Sequence, residues 1–274
     1  MKYVLLSVAA LAIVFGLSFL ATGLIRRKLK KKPSVSLHIL ISVAAGLLLL
    51  AAVGFIFLSI HYPAEQEAET VFAGSDGVTV TAIDGGYLAD GFGEKTALIF
   101  YPGAKVDTTA YLPLMKQIAA GGVDCFLVDP PMRMAIFDPD AADRIIDGYH
   151  YNYVMVGGHS MGGMVAAGYA AEHPVSADGV VLLAAYPTKP PGSPAKLLSI
   201  YGTEDRVLDR EAYEKSKRYF PPRSTEIVID GGNHAQFGNY GLQKGDGAAT
   251  ISAQEQQSQT VEAILQFAQQ LSEK

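Results

Sequence analysis

Seven short runs, VTVTAI, TALIFYP, CFLVDP, YVMVGG, GVVLLAAYP, KLLSIYG and TEIVIDGG, punctuate residues 78–232. From TALIFYP onward they are almost continuously apolar instead of alternating, so strands made from them need cover on both faces. Helical patterns lie between them over residues 109–120, 140–148, 161–172 and 209–219, and a longer one follows over 252–271. Strand and helix in alternation predict an α/β fold built on a doubly wound, mostly parallel sheet. The earlier stretch VFAGSDGVTVTAIDGGYLAD alternates and turns on glycines, which predicts antiparallel strands at the sheet edge. Residues 252–255 read SAQE, a capping box ahead of Val261, Ile264, Leu265 and Ala268, so the last helix is expected to pack on the sheet.

In front of this pattern, residues 3–25 and 39–60 carry no formal charge. At about 1.5 Å per residue each makes roughly 33 Å of helix, enough to cross a bilayer core, so two transmembrane helices are expected within residues 1–62. A cleaved signal peptide followed by one anchor would use the small residues of FLATG, but only Lys2 precedes the first run while RRKLKKK follows it. Arg26, Arg27, Lys28, Lys30, Lys31 and Lys32 make the connector 26–36 cytoplasmic by the positive-inside rule, and the domain beyond the second helix extracytoplasmic. Residues 63–72 are polar and read as a stalk to a domain spanning 73–274. Seven of the 22 bases and none of the 27 acids precede residue 63, so the remainder is acidic, near −12. That balance offers no basic stripe for nucleic acid. Cys125 is the one cysteine; set inside DCFLVD, it reads as a small buried apolar group.

YVMV passes directly into GGHSMGG, so a buried strand meets a small-residue helix with a serine at the join. Gly158, His159, Ser160, Met161 and Gly162 form G-x-S-x-G, the arrangement of a nucleophile elbow. Such a turn strains the serine and lifts its Oγ to the carboxyl edge of the sheet, beside a helix N-terminus that favours developing negative charge. Glycines that punctuate a tight turn would account for the pentapeptide alone, but further groups follow in the order nucleophile, acid, histidine. KLLSIYGTEDRV places Asp205 just past a strand end, and TEIVIDGGNHAQFG does the same for His234. A histidine there can take the Ser160 proton and return it to a leaving group, while a carboxylate fixes its tautomer.

Of the six histidines, His38 and His61 lie at ends of the apolar runs, His150 precedes a strand, His159 sits in the elbow and His173 ends a helix. His234 is therefore the expected base. Glu204 and Asp209 compete with Asp205, but Asp209 reads as the N-cap of REAYEKSKRYF and Asp205 stands closer to the strand end. Oxyanion donors are expected at the Met161 N–H and, in the PGAKVD loop after TALIFYP, at the Ala104 N–H, with Gly103 allowing the turn.

From about Ala73 to Leu271 these features resemble the α/β-hydrolase superfamily, in its serine-esterase and dienelactone-hydrolase-like branch. The resemblance implies an α/β-hydrolase fold and acyl transfer through Ser160, Asp205 and His234. Dienelactone hydrolases themselves use a cysteine nucleophile, so Ser160 turns the expectation toward ester hydrolysis. The link from Tyr186 to Lys196 is short and proline-rich, which leaves no room for a cap domain. Gln236, Phe237, Tyr240 and Gln243 are candidates for a pocket wall, or for a surface loop leading to the last helix.

The resulting expectation is a two-pass, membrane-anchored, extracytoplasmic serine hydrolase of the carboxylesterase type. Its substrates would be acyl esters of small molecules, lipids or cell-wall polymers. Acyl transfer to a cell-surface hydroxyl, and a non-catalytic binding module on the same fold, are the alternatives. FDPDAAD clusters Asp138, Asp140 and Asp143, but no histidine joins them at ligand spacing in the sequence, and a helix N-terminus explains the acids. No metal is expected, and without a phosphate-binding glycine loop or dinucleotide fingerprint no cofactor is expected either.

Overall fold

The runs read as covered strands lie side by side in one eight-stranded sheet. The computed structural model describes residues 2–28, 34–69, 71, 77–92, 95–192 and 195–272, with residues 2–10, 58, 67 and 69 by backbone alone. It divides into two units, Met1–Ile60 and His61–Lys274.

The first unit is a pair of helices, α1 (Lys2–Lys28) and α2 (Val35–Ser59). Ser34 caps α2 through its Oγ, which accepts the Leu37 N–H at 3.2 Å. The pair is joined by small polar groups: Ser18 Oγ donates to the Ser42 carbonyl at 2.6 Å, and Thr22 Oγ1 meets Ser42 Oγ at 2.6 Å. Among the described residues one helix, at Val35–Phe57, is long and apolar enough by length and composition to cross a membrane. The expectation of two spans is thus corrected to one candidate. The first expected span, residues 3–25, lies within α1, of which residues 2–10 are described by backbone alone. Positions 29–33 of the expected basic connector lie outside the described residues.

The second unit runs α3 (Gln66–Glu69), β1 (Thr79–Ile83), β2 (Gly86–Asp90), β3 (Thr96–Tyr101), α4 (Leu112–Ala120), β4 (Asp124–Val128), α5 (Ala141–Gly148), β5 (Tyr153–His159), α6 (Met161–Glu172), β6 (Gly179–Leu183), β7 (Lys196–Gly202), α7 (Arg210–Ser216), β8 (Ser224–Ile229) and α8 (Ala253–Ser272). The sheet order is β1-β2-β4-β3-β5-β6-β7-β8. β2 is antiparallel to both β1 and β4, and every other neighbouring pair is parallel. The glycine-rich alternating stretch is therefore the antiparallel edge.

Why the central runs do not alternate is plain from their burial. One face of β3 and β4 sends Leu98, Phe100, Cys125 and Leu127 into a core shared with α4 and α8, and the other sends Ala97, Ile99, Tyr101, Phe126 and Val128 into a second core shared with α5 and α6. Each large side chain so buried contributes about 1.5–3 kcal/mol. Cys125 is fully buried, and burial pushes its thiol pKa up. Ser252 caps α8 as its sequence suggests, accepting the Glu255 N–H at 3.1 Å.

Two connections depart from or bear on the sequence reading. The segment read as a stalk is folded onto the domain: the Ala64 N–H donates to Asp107 Oδ2 at 3.3 Å, the Glu65 N–H donates to the Asn239 carbonyl at 2.8 Å, Ala68 is buried, and Tyr62 just ahead of it bridges Val106. Its polar composition hid these bonds because they are made by the backbone. Between β6 and β7 the described residues hold no helix or strand.

Candidate active site

β3 to β8 point their carboxyl ends to one edge of the sheet, where the loops after β3, β5, β7 and β8 collect. Ser160 follows β5 directly and is followed by α6. Its backbone adopts φ 53 and ψ −121, outside the comfortable regions for a side-chain-bearing residue, at a cost of about 1–3 kcal/mol. The surroundings hold it there. Its N–H donates to the Leu183 carbonyl at 2.9 Å, and two glycines permit the close approach of three chain segments. A Cβ on Gly158 would stand 2.5 Å from the Tyr101 carbonyl oxygen, and one on Gly162 would stand 2.1 Å from the same oxygen. The end of β3 is thereby pressed against the first turn of α6, which brings the loop after β3 beside the serine. Ser160 keeps partial exposure to solvent.

Asp205 and His234 meet as expected: Asp205 Oδ2 lies 2.9 Å from His234 Nδ1, and both side chains are almost wholly out of solvent. The other carboxylate oxygen, Oδ1, accepts the N–H groups of Val207 at 2.9 Å and Leu208 at 2.8 Å. Burial pushes the Asp205 carboxyl up, but the His234 hydrogen bond and charge, with the two N–H donors, outweigh it and hold the carboxyl below its ordinary range. Asp205 is thus an anion that orients the imidazole. With Nδ1 so engaged, Nε2 is the nitrogen left for chemistry; it is buried and makes no hydrogen bond within the described residues. None of the hydrogen bonds among the described residues joins it to Ser160 Oγ, so the acid–base arm is closed and the base–nucleophile arm open. Asp209 caps α7 instead, accepting the Ala212 N–H at 2.9 Å.

On the other side of the serine, the N–H groups of Met161 and Ala104 have no acceptor among the described residues, whereas that of Gly103 is used by the Tyr111 hydroxyl at 3.1 Å. An edge carrying a strained serine, an acid–histidine pair and free N–H groups fits acyl-transfer chemistry. Residues 97–258 match the family model described as Alpha/beta hydrolase family. The chain belongs to the alpha/beta hydrolase family. Solved structures that resemble this hydrolase include carboxyl esterase 2 from the mycorrhizal fungus Tuber melanosporum, with TM-score 0.54 and 13% identity over 76% of this chain and 91% of that one. Another is dienelactone hydrolase from Anabaena variabilis, with TM-score 0.50 and 15% identity over 69% of this chain and 98% of that one. No curated protein sequence matches this hydrolase.

Several residues that complete the site escape a sequence reading of the hydrolase. Gln256, on the buried face of α8, accepts the Asn233 N–H at 2.9 Å and donates to the Asn233 carbonyl at 2.8 Å, clamping the residue before His234. Asp246 accepts the Ala235 N–H at 2.9 Å on the other side. The signal for Gln256 was present: it lies in register with Thr260, Ile264, Phe267 and Leu271, where a polar residue points to a buried hydrogen-bonding duty. His159 is buried, with Nδ1 2.8 Å from the Tyr111 hydroxyl and its ring centroid 4.5 Å from that of His234. Burial, and then the His234 charge, hold its pKa well below the ordinary value, so it is neutral. Phe237 and Tyr240 are buried in the core. Finally, the fold brings His173 to within 3.6 Å of Asp140 and 3.7 Å of Asp143, which corrects the expectation that no histidine joins those acids; chain separation concealed it.

Proposed function

We propose that this protein is a membrane-anchored, extracytoplasmic serine hydrolase that cleaves carboxylic esters through an acyl-enzyme on Ser160. The observation that carries the reading is the buried Asp205–His234 pair, which leaves Nε2 unpaired at the edge where the strained Ser160 is presented. His234 Nε2 takes the Ser160 proton as Oγ attacks the ester carbonyl. The tetrahedral oxyanion is received by the N–H groups of Met161 and Ala104, and the proton passes to the departing alkoxide. Water, activated by the same nitrogen, then attacks the acyl-enzyme and releases the acid and free Ser160. Neither metal nor cofactor enters these steps.

α2 supplies the anchor. Arg26, Arg27 and Lys28 precede it and hold its leading end on the cytoplasmic side, which sends the residues from His61 onward outward. Substrates are accordingly acyl esters met outside the cytoplasm. The test is labelling of the full chain in detergent with a fluorophosphonate, read by intact mass beside Ser160→Ala and His234→Ala, together with turnover of p-nitrophenyl acyl esters. A single adduct that both variants lose supports the reading. Full ester turnover by Ser160→Ala, or no adduct on a folded parent, overturns it.

A further inference from the structure

The segment that leaves the anchor, residues 61–65, lies on the loop that carries Ala104. Tyr62 runs parallel to that loop, its N–H donating to the Lys105 carbonyl at 2.7 Å and its carbonyl accepting the Asp107 N–H at 2.9 Å. The Ala64 N–H reaches Asp107 Oδ2 at 3.3 Å, and His61 Nε2 stands 3.4 Å from Asp107 Oδ1. The Glu65 N–H then crosses to the Asn239 carbonyl, in the loop that follows His234. One short strand-like segment therefore ties together the two loops that flank the reacting atoms.

Behind it stands a column of rings. Tyr62 packs on Tyr240 with centroids 5.8 Å apart, Tyr240 on Tyr111 at 6.3 Å, Tyr111 on His159 at 5.8 Å, and His159 on His234 at 4.5 Å. Polar bonds fix its middle. The Tyr111 oxygen accepts the Gly103 N–H, and its single proton has His159 Nδ1 as acceptor at 2.8 Å. If Nδ1 carried a proton instead, the hydroxyl hydrogen of this buried tyrosine would lose that acceptor. By holding the Gly103 N–H, Tyr111 turns that donor away from the serine and leaves the next one, Ala104, free.

We propose that residues 61–65 with Tyr111 and His159 form a positioning device for acyl transfer, which sets the oxyanion loop and His234 in register with Ser160. The inference rests on the serine-hydrolase reading above. It makes the anchor-proximal segment a working part of the catalytic centre: a domain cut from the membrane beyond Tyr62 loses activity along with its tether. These residues touch no reacting atom, so their contribution falls on kcat and not on KM.

The test uses the full chain in detergent with p-nitrophenyl butyrate. Tyr111→Phe keeps the ring and loses the hydroxyl; kcat is expected to fall about ten- to a hundred-fold with KM unchanged. Tyr62→Ala is expected to lower kcat in the same manner and Tyr62→Phe, which keeps ring and backbone bonds, to restore most of it. Tyr151→Phe is the matched control, because it removes another tyrosine hydroxyl bond, to Asp124 at 2.8 Å, away from the site. It lowers the melting temperature and leaves kcat alone. Parental kcat in Tyr111→Phe, or a loss that Tyr151→Phe shares, overturns the proposal. A parent that turns over no ester and takes no fluorophosphonate removes the serine-hydrolase reading itself.

Discussion

The two sides of Ser160 are held by different means. On the base side, buried side chains do the holding: Asp205 grips His234 and the N–H groups of Val207 and Leu208, while Gln256 and Asp246 bind the backbone immediately before and after the histidine. On the oxyanion side the bonds are mostly backbone to backbone. Tyr62 pairs with Lys105 and Asp107, and the Lys105 N–H donates to the Arg133 carbonyl at 2.8 Å. Lys105, Met132 and Arg133 all take positive φ there, a local strain that the surrounding bonds sustain. Side-chain anchoring gives single residues large, separable effects; backbone anchoring spreads the same duty over a loop.

The largest effect is therefore expected from the base side. Asp205→Asn keeps shape but removes the charge that orients the imidazole, and kcat is expected to drop by roughly ten-thousand-fold with the melting temperature little changed. Fluorophosphonate labelling rates should follow kcat. If the variant kept even a tenth of parental turnover, the buried pair would be a structural contact and the comparison would fail at its strongest point.

Gln256→Leu probes the same side one layer out. The buried N–H and carbonyl of Asn233 lose their partners, each at a cost of about 1–3 kcal/mol, so the melting temperature falls. Displacement of His234 should cost a further ten-fold or so in kcat, far less than loss of Asp205. Unaltered melting would show that Gln256 is dispensable to the loop.

This asymmetry also marks what a sequence reveals. The sheet was legible because full burial on two faces writes continuous apolar runs, and the meeting of Asp205 with His234 because each stands just past a strand end on the same edge of the sheet. Met161 and Ala104 were placed only through the geometry that an elbow imposes, since any residue has an N–H. Tyr62 fell at the junction of the apolar front and the polar stalk, and nothing in YPAEQEAET betrays bonds that its backbone makes to residues some 40 positions away. The apolar front was read as two spans because residues 3–25 and 39–60 are both uncharged; among the described residues one helix, at Val35–Phe57, qualifies by length and composition. His159 was passed over because its burial depends on Tyr111 and His234, which only the fold brings to it.

The smallest effect separates the two sides by pH. Both Asp205 and His159 have folded-state pKa values below their unfolded ones, so each withholds a proton that the unfolded chain accepts, and each loses stability on acidification. The windows differ. For His159 the stability is complete above pH 6.5 and declines below it, by at most ~1.4 kcal/mol per pH unit, until the folded imidazole too takes a proton. For Asp205 nothing is lost until the pH approaches about 4. Melting temperatures of the full chain between pH 8 and 5 should therefore fall more steeply below pH 6.5 for the parent than for His159→Gln, which lacks the buried imidazole at that position. Parallel curves for the two proteins would mean that the acid sensitivity resides in other histidines, and that the oxyanion side is held without regard to the charge state of His159.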